Sequence, residues 1–233
     1  MMKKKMILIA AISLSSMTAT AQTEVGKFSL KPVAGITISD VTVEKGNIYN
    51  SKVGFTGGVE VEYGISTNMG VLLGVLYTQQ GGKYKETNNA HSIVDGEILT
   101  TETVKYKLSA DYVNLPLLAN FYVWRGLAIK TGVQMGILVN DKWTYRYDFV
   151  ANYSLGELYY IPGKEDGSHT RAKMTDFCKG IDFGIPVGLS YEYKNICLDA
   201  RYYFGLTNMN DDENSDVMHN RVLSITLGYK FKL

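Results

Sequence analysis

Three histidines, His91, His169 and His219, are the side chains of this chain best suited to moving protons near neutral pH. Ser168 directly precedes His169, and Asp216 lies three residues before His219. A serine hydrolase or acyltransferase needs a serine, a histidine and a carboxylate that meet in space, which these spacings do not establish. Neither a G-x-S-x-G nor an H-E-x-x-H motif occurs. We therefore predict no catalytic residues, and keep an enzyme using His169 or His219 as an alternative.

The next possible chemistry is metal binding. Residues 211–216 (DDENSD) cluster carboxylates, which bind Ca²⁺, but the run lacks the central Gly and terminal Glu of an EF-hand loop. The two cysteines, Cys178 and Cys197, form no C-x-x-C motif. The strand assignment below separates them by on the order of 30–40 Å, and a disulfide needs Cα atoms within about 7 Å. We predict two free thiols, no metal site and no cofactor.

A third group of ionisable side chains recurs at alternate positions of extended segments. Alternation by two places them on one face of their strands. If that face lines a narrow barrel, opposite charges must pair, because an unpaired buried charge is costly. We predict a salt-bridged, filled interior, with a polar conduit as the alternative. The predicted inner residues are Lys31, Glu60, Glu62, Lys130, Asp182, Glu192, Asp199, Arg201 and Lys230.

The final stretch, residues 220–233 (NRVLSITLGYKFKL), shows which strands carry such a face. One side is apolar and ends in aromatic rings, while the other is polar or small. This is the pattern of a strand that crosses an outer membrane with lipid on one face and the barrel interior on the other. The apolar side consists of Leu223, Ile225, Leu227, Tyr229, Phe231 and Leu233.

Seven further segments repeat the pattern, and the connections between them alternate in length. Bacterial barrels keep short turns on the periplasmic side and longer loops outside. The sequence therefore predicts an all-β, eight-stranded antiparallel transmembrane β-barrel with both termini in the periplasm, against a secreted lipocalin-like barrel or sandwich. The predicted strands are residues 27–40, 52–65, 68–80, 105–124, 127–140, 180–193, 195–207 and 220–233. The short turns are 64–68, 124–126 and 193–195, and the long connections are 41–51, 81–104, 141–179 and 208–219.

Two details modify this pattern. In the fourth strand the apolar positions change parity near Asp111 and Tyr112, which predicts a β-bulge or a part of the strand standing above the membrane. Beyond the fifth strand, residues 143–149 (WTYRYDF) place rings at alternate positions and predict a ribbon that continues above the membrane.

The N-terminus is typical of an exported protein. Three lysines (3–5) precede an apolar run (6–14) and an Ala-Thr-Ala cleavage site (19–21), which predicts a signal peptide of residues 1–21 and a barrel domain of residues 22–233. Without the three signal lysines, 21 of the 24 basic residues remain against 23 acidic ones, a formal charge of −2. This balance predicts no nucleic-acid partner.

Four stretches of the mature chain resemble the PorT-like outer-membrane β-barrel family of Bacteroidetes. They are residues 76–84 (LYTQQGGKY), 112–118 (YVNLPLL), 182–188 (DFGIPVG) and 198–206 (LDARYYFGL). The resemblance spans essentially the whole mature chain and implies a barrel in the bacterial outer membrane. The family's name-giving member is associated with type IX secretion, a role that fold alone does not transfer.

The sequence therefore predicts a non-enzymatic outer-membrane protein that is structural or presents extracellular loops for interaction. The alternative is a narrow pore or a transport- or secretion-associated component. Expected partners are outer-membrane lipid, the barrel-insertion machinery, and an envelope or extracellular protein. Barrels often end in the Phe that this machinery recognises, whereas here Leu233 is last and Phe231 stands two residues earlier on the same face. For the envelope or extracellular protein the 141–179 loop is favoured, since it mixes tyrosines with charged residues.

Overall fold

The computed structural model of the chain describes the backbone of residues 24–43, 50–93, 97–155, 157–161, 179–209 and 217–233. Side chains are described for residues 24–43, 50–83, 107–140, 179–209 and 217–233. The predicted signal peptide, His169, Cys178 and the acidic run 211–216 lie outside the described residues. Within the described part, the chain has no helix long and apolar enough to cross a membrane.

The described residues form ten strands in one antiparallel sheet. They are β1 (Phe28–Val43), β2 (Asn50–Ser66), β3 (Met69–Ile93), β4 (Glu97–Trp124), β5 (Leu127–Leu155), β6 (Glu157–Ile161), β7 (Ile181–Tyr193), β8 (Ile196–Gly205), β9 (Met218–Tyr229) and β10 (Phe231–Lys232).

The sheet closes on itself, because β1 pairs with β2 on one side and with β9 and β10 on the other. β9 and β10 together act as one strand of the barrel wall, and among the described strands β6 pairs with β5 alone and is not part of the closed wall. We call each strand of the closed wall a stave. The wall therefore has eight staves, which confirms the predicted eight-stranded barrel. At one end β2–β3, β4–β5 and β7–β8 join by the predicted tight turns, and we call this the turn end. The opposite end is the loop end.

Burial alternates along the staves as a period of two requires. On β2 the outward side chains run from Val53, 65% exposed, to Tyr63, 39% exposed. Ten residues at about 3.3 Å each, tilted by about 40°, give an apolar band roughly 25 Å high, the height of an outer-membrane barrel belt. Exposed rings gather at the turn end, and their amphipathic character suits the headgroup level. They include Phe28, Tyr63, Phe121, Trp124, Tyr229 and Phe231.

The predicted long connections 81–104 and 141–179 need correction, because their described residues 81–93, 97–104, 141–155 and 157–161 are strands. β3 and β4 pair without a break from Leu76↔Asn114 up to Ile93↔Glu97, and β5 accompanies β4 as far as Glu97↔Ser154. We call residues 84–93, 97–106, 141–155 and 157–161 the protruding sheet. Its polar and β-branched residues favour strand but give no lipid-facing alternation, so their composition resembled a loop. The ribbon predicted beyond the fifth strand is confirmed as part of this sheet.

The parity change in the fourth strand has a different cause from the one predicted. A register shift between Asp111 and Tyr112 confirms an irregularity, and the extra residue is Val139 on β5. β4 itself keeps its orientation, since Leu108, Ala110 and Tyr112 are all buried on the inner face. The interior becomes apolar near the loop end, while the strand does not turn over.

Candidate functional site

The middle of the barrel is filled by five ionisable side chains on four different staves. Arg201 Nη2 lies 2.8 Å from Glu60 Oε1, and its Nε lies 3.0 Å from Asp199 Oδ1. Lys31 Nζ lies 2.7 Å from Glu60 Oε2, and Lys130 Nζ pairs with Asp199 Oδ2. Each of these residues is at most 6% exposed. We call them the central cluster; it holds three cations and two carboxylates.

A second group lies nearer the turn end and has the opposite balance. Lys230 Nζ lies 2.9 Å from Glu192 Oε2 and 3.3 Å from Glu62 Oε2. The Tyr122 hydroxyl donates to Glu62 Oε1 at 2.7 Å and accepts from Lys230 at 3.1 Å. This lower cluster has one cation and two carboxylates, so the two clusters together hold four charges of each sign. That neutrality is what lets both remain in a low-dielectric space.

Glycines make the room that these long side chains need. A Cβ on Gly70 would lie 2.6 Å from Glu62 Oε1, and a Cβ on Gly188 would lie 3.0 Å from the Arg201 Cγ. Short residues on one stave thus accept the charged side chain of the next, as close packing of the interior requires.

Above the central cluster the interior is lined mainly by uncharged polar side chains, with Asp182 as a carboxylate among them. Thr56 and Thr78 share a hydrogen bond of 2.9 Å between their hydroxyls, and Asn220 Nδ2 donates to Asp182 Oδ2 at 2.8 Å. A cavity with about 30 Å³ open to the centre of a water molecule lies here, above Glu60 and Arg201. Since one water needs about 10–15 Å³ by this measure, the space suits about two waters.

The loop end of the interior is closed by an apolar cap of Val41, Leu108, Ala110, Tyr112 and Met209, each at most 8% exposed. Met209 belongs to the β8–β9 connection, and backbone hydrogen bonds from Lys179 N to its carbonyl and from its own N–H to the Met218 carbonyl hold it in place. The connection therefore sends an apolar side chain into the barrel mouth.

All nine inner residues predicted from the sequence are buried, and the predicted pairing is confirmed for eight of them. Asp182, the ninth, accepts its bond from an amide. Sequence reasoning missed the apolar cap, whose signal was the even-numbered apolar residues of β4. It also missed Lys52, which is 8% exposed and donates to the Gln80 carbonyl at 2.7 Å.

His219 lies apart from the charge clusters, whereas Cys197 shares the inner face of β8 with Asp199 and Arg201. His219 makes its contact through Nδ1 with the Thr207 carbonyl oxygen at 3.1 Å, a structural bond at the loop end. His91 lies on β3 in the protruding sheet. Cys197 is a buried free thiol. Across the described residues, no group of three or more His, Cys, Asp or Glu side chains is arranged to hold a metal ion.

A closed antiparallel barrel with a lipid-facing belt and a charge-paired interior is the architecture of outer-membrane proteins. A family model described as outer membrane protein beta-barrel domain matches residues 20–211. The chain belongs to this family. As an outer-membrane β-barrel domain it resides in the bacterial outer membrane, with its turn end toward the periplasm and its loop end outside.

Solved structures with the same kind of barrel are similar to this chain at low identity. The attachment invasion locus protein Ail of Yersinia pestis is 14% identical, with a TM-score of 0.39, covering 89% of this chain and all of that one. Neisserial surface protein A is 15% identical, with a TM-score of 0.38, covering 88% of this chain and 97% of that one. The N-terminal barrel domain of Pseudomonas aeruginosa OprF is 13% identical, with a TM-score of 0.33 and coverages of 89% and 98%. No curated protein matches the chain.

Proposed function

We propose that this outer-membrane barrel is a closed, non-enzymatic scaffold that acts through the sheet it presents outside the membrane. The observation that carries the proposal is the filled interior. The lower cluster, the central cluster and the apolar cap occupy successive levels of the barrel, and the cavity between the last two has room for only about two waters.

The competing function, a narrow pore, would need a continuous aqueous path. Ion pairs among side chains of β1, β2, β5 and β8 obstruct it at the central level, and eight strands leave just enough width for side chains. A gated pore would have to displace both charge clusters as well as the cap, at the expense of their ion pairs.

Conductance tests this directly. We expect no stable channels when the refolded protein is reconstituted in a planar bilayer beside a porin as positive control. Met209→Ala, which trims the cap, should also remain silent because the charge clusters below it still fill the barrel. Reproducible single-channel steps from the unaltered protein, or from Met209→Ala alone, would bring the pore or transport function forward.

With the interior filled, the part of the molecule available to bind a partner protein is the protruding sheet. It stands beyond the apolar belt, and among the described residues two of its strands have an edge without a partner strand. Within that part of the chain β6 pairs with β5 alone, and β3 has no β2 partner beyond Asn50↔Lys83. Such edges add strands from extended segments of partner proteins. An envelope or extracellular protein that contacts the 141–179 segment is the partner this arrangement favours.

In-cell photocrosslinking tests the partner. A photoreactive phenylalanine at Tyr159 on β6 should yield one discrete protein adduct in intact cells, whereas the same probe at Leu198 on the lipid-facing belt should yield none. Absence of any adduct from Tyr159 and from Tyr153, its neighbour at the paired position on β5, would remove the display function.

Two finer assignments belong to the same proposal. The motifs quoted above favour a PorT-like branch of the family, and residues 1–21 carry the pattern of a cleaved signal peptide. N-terminal sequencing of the protein extracted from outer membranes should begin at Gln22.

A further inference from the structure

The register at the base of the protruding sheet, including Lys83 and Lys107 just below it, brings basic residues together across three strands. Lys83 lies directly opposite Lys107, and Lys85 opposite Lys105, on β3 and β4. Lys105 lies in turn opposite Arg146 on β5. Lys142 on β5 is paired with Ser109, which lies on β4 two residues from Lys107 and on the same face. Partners across a ladder and residues two apart on a strand share a face, so all six positions belong to one face.

That face is the outward one. Lys83 and Lys107 are exposed, and each follows the parity of the lipid-facing residues on its own strand, such as Tyr77 on β3. Lys142 lies three residues above Val139, which is 52% exposed on β5. The basic positions thus begin where the apolar belt ends, at the level of the outer-leaflet headgroups.

The acidic residues of this face do not balance its six basic positions. Asp148, which is paired with Thr103 and lies two residues beyond Arg146 on β5, shares the face and offsets one of them. Like charges directly opposite each other on neighbouring strands are destabilising. Among the residues whose side chains are described, no carboxylate forms an ion pair with Lys83 or Lys107. Asp111, which follows Ser109 by two residues on β4, is buried and accepts a hydrogen bond from Asn140 at 2.8 Å. An external anion is therefore the partner that fits these positions.

We infer that this outward face, at Lys83, Lys85, Lys105, Lys107, Lys142 and Arg146, binds phosphate groups of anionic lipids in the outer leaflet. Ammonium and guanidinium groups form strong charge-assisted hydrogen bonds with phosphate. A lipid is favoured over a free ion because the face continues the lipid-covered belt, so a lipid held by its chains along Tyr77 and Val139 presents its headgroup there. The inference concerns lipid and is independent of the protein partner proposed above.

The test uses the full-length refolded protein in neutral-detergent micelles with diphosphorylated lipid A as the probe. Retained lipid is counted by native mass spectrometry, and the unfolding midpoint is followed by heat-modifiable gel mobility. We expect saturable retention of the phosphorylated lipid. Retention of the enzymatically dephosphorylated lipid should be weaker by roughly tenfold or more, since each near-surface Lys or Arg contributes about 1 kcal/mol to anionic-lipid binding, a factor of about five.

The double variant Lys83→Gln with Lys107→Gln should weaken retention of the phosphorylated lipid roughly tenfold or more while keeping the heat-modifiable fold. The matched control, Lys179→Gln with Lys194→Gln, removes the same charge from exposed positions elsewhere and should leave retention unchanged.

Equal loss in both double variants would overturn the site, as would equal binding of the phosphorylated and dephosphorylated lipids. If inorganic phosphate competes as well as the lipid does, the face is a free-anion site and the lipid assignment fails. Should the double variant not fold, the comparison of the two lipids on the unaltered protein still decides.

Discussion

Arg201→Leu is expected to lower the free energy of unfolding by about 3–5 kcal/mol, the usual loss when one partner of a buried ion pair is removed. The change takes the 2.8 Å contact from Glu60 and both hydrogen bonds, each 3.0 Å, from Asp199. Lys31 and Lys130 remain, so each carboxylate keeps one cation and loses its second. Urea titration of the refolded protein, followed by tryptophan fluorescence and heat-modifiable mobility, measures the loss.

Arg221→Leu is the matched control for this experiment. Arg221 is partly buried at the loop end, where it donates to the Gly205 carbonyl at 3.0 Å and lies over the Phe204 ring. It forms no ion pair with a described carboxylate, so its loss should lower stability by less than about 1 kcal/mol. Adding Glu60→Gln to Arg201→Leu should recover part of the stability, because it restores equal numbers of cations and carboxylates in the two clusters, which Arg201→Leu leaves at three and four. Similar small losses for both single variants would show that the central cluster is not what holds the staves together.

Gly58→Ala is expected to lower the free energy of unfolding by about 2–3 kcal/mol, or to prevent the heat-modifiable form from appearing. A Cβ at this position would lie 2.1 Å from the Val75 carbonyl oxygen and 2.8 Å from Leu76 Cα, both in the backbone of the neighbouring stave. Neither atom can move without opening the β2–β3 ladder. The fraction that migrates as the compact form before and after heating, together with a urea titration, measures the effect.

Gly57→Ala is the matched control for Gly58→Ala. On Gly57 the nearest atom to an added Cβ is the far end of the Phe55 ring, at 2.9 Å, and this ring is half exposed on the lipid side. The ring can turn away, so Gly57→Ala should change stability by no more than about 0.5 kcal/mol. If the two alanine variants behave alike, the close approach of β2 and β3 does not control closure of the barrel.

The wall of the barrel was predictable because lipid and interior impose opposite demands on successive residues. That alternation predicts from the sequence alone which side chains of β2 face outward and that Glu60 and Arg201 lie inside. Their mutual contact was not predictable. Glu60 and Arg201 lie on staves that are not adjacent in the sheet, and the pairing depends on how far each stave is sheared against the next.

The loop end was predicted less well for a physical reason. Above the membrane both faces of a strand meet polar surroundings, so the upper parts of β3, β4 and β5 lose the contrast that marks a membrane strand. Met209 carries no periodic signal at all, because it reaches the interior from a connection. Only the even-numbered apolar residues of β4, such as Leu108 and Tyr112, hinted that the mouth is closed by apolar packing.

Closure of the wall joins the two ends of the described chain. Ser29 pairs with Lys232, and beside them Lys232 donates a hydrogen bond of 2.9 Å to Glu24, which holds the pKa of that carboxyl below its usual range. Contacts so distant in sequence form slowly, because the entropy cost of ordering the intervening chain comes before the contacts can stabilise it. Until then the first and last strands both expose unpaired edges, which are prone to aggregate. Pairing of the first strand with the last is therefore expected to be the slow step in the folding of this barrel.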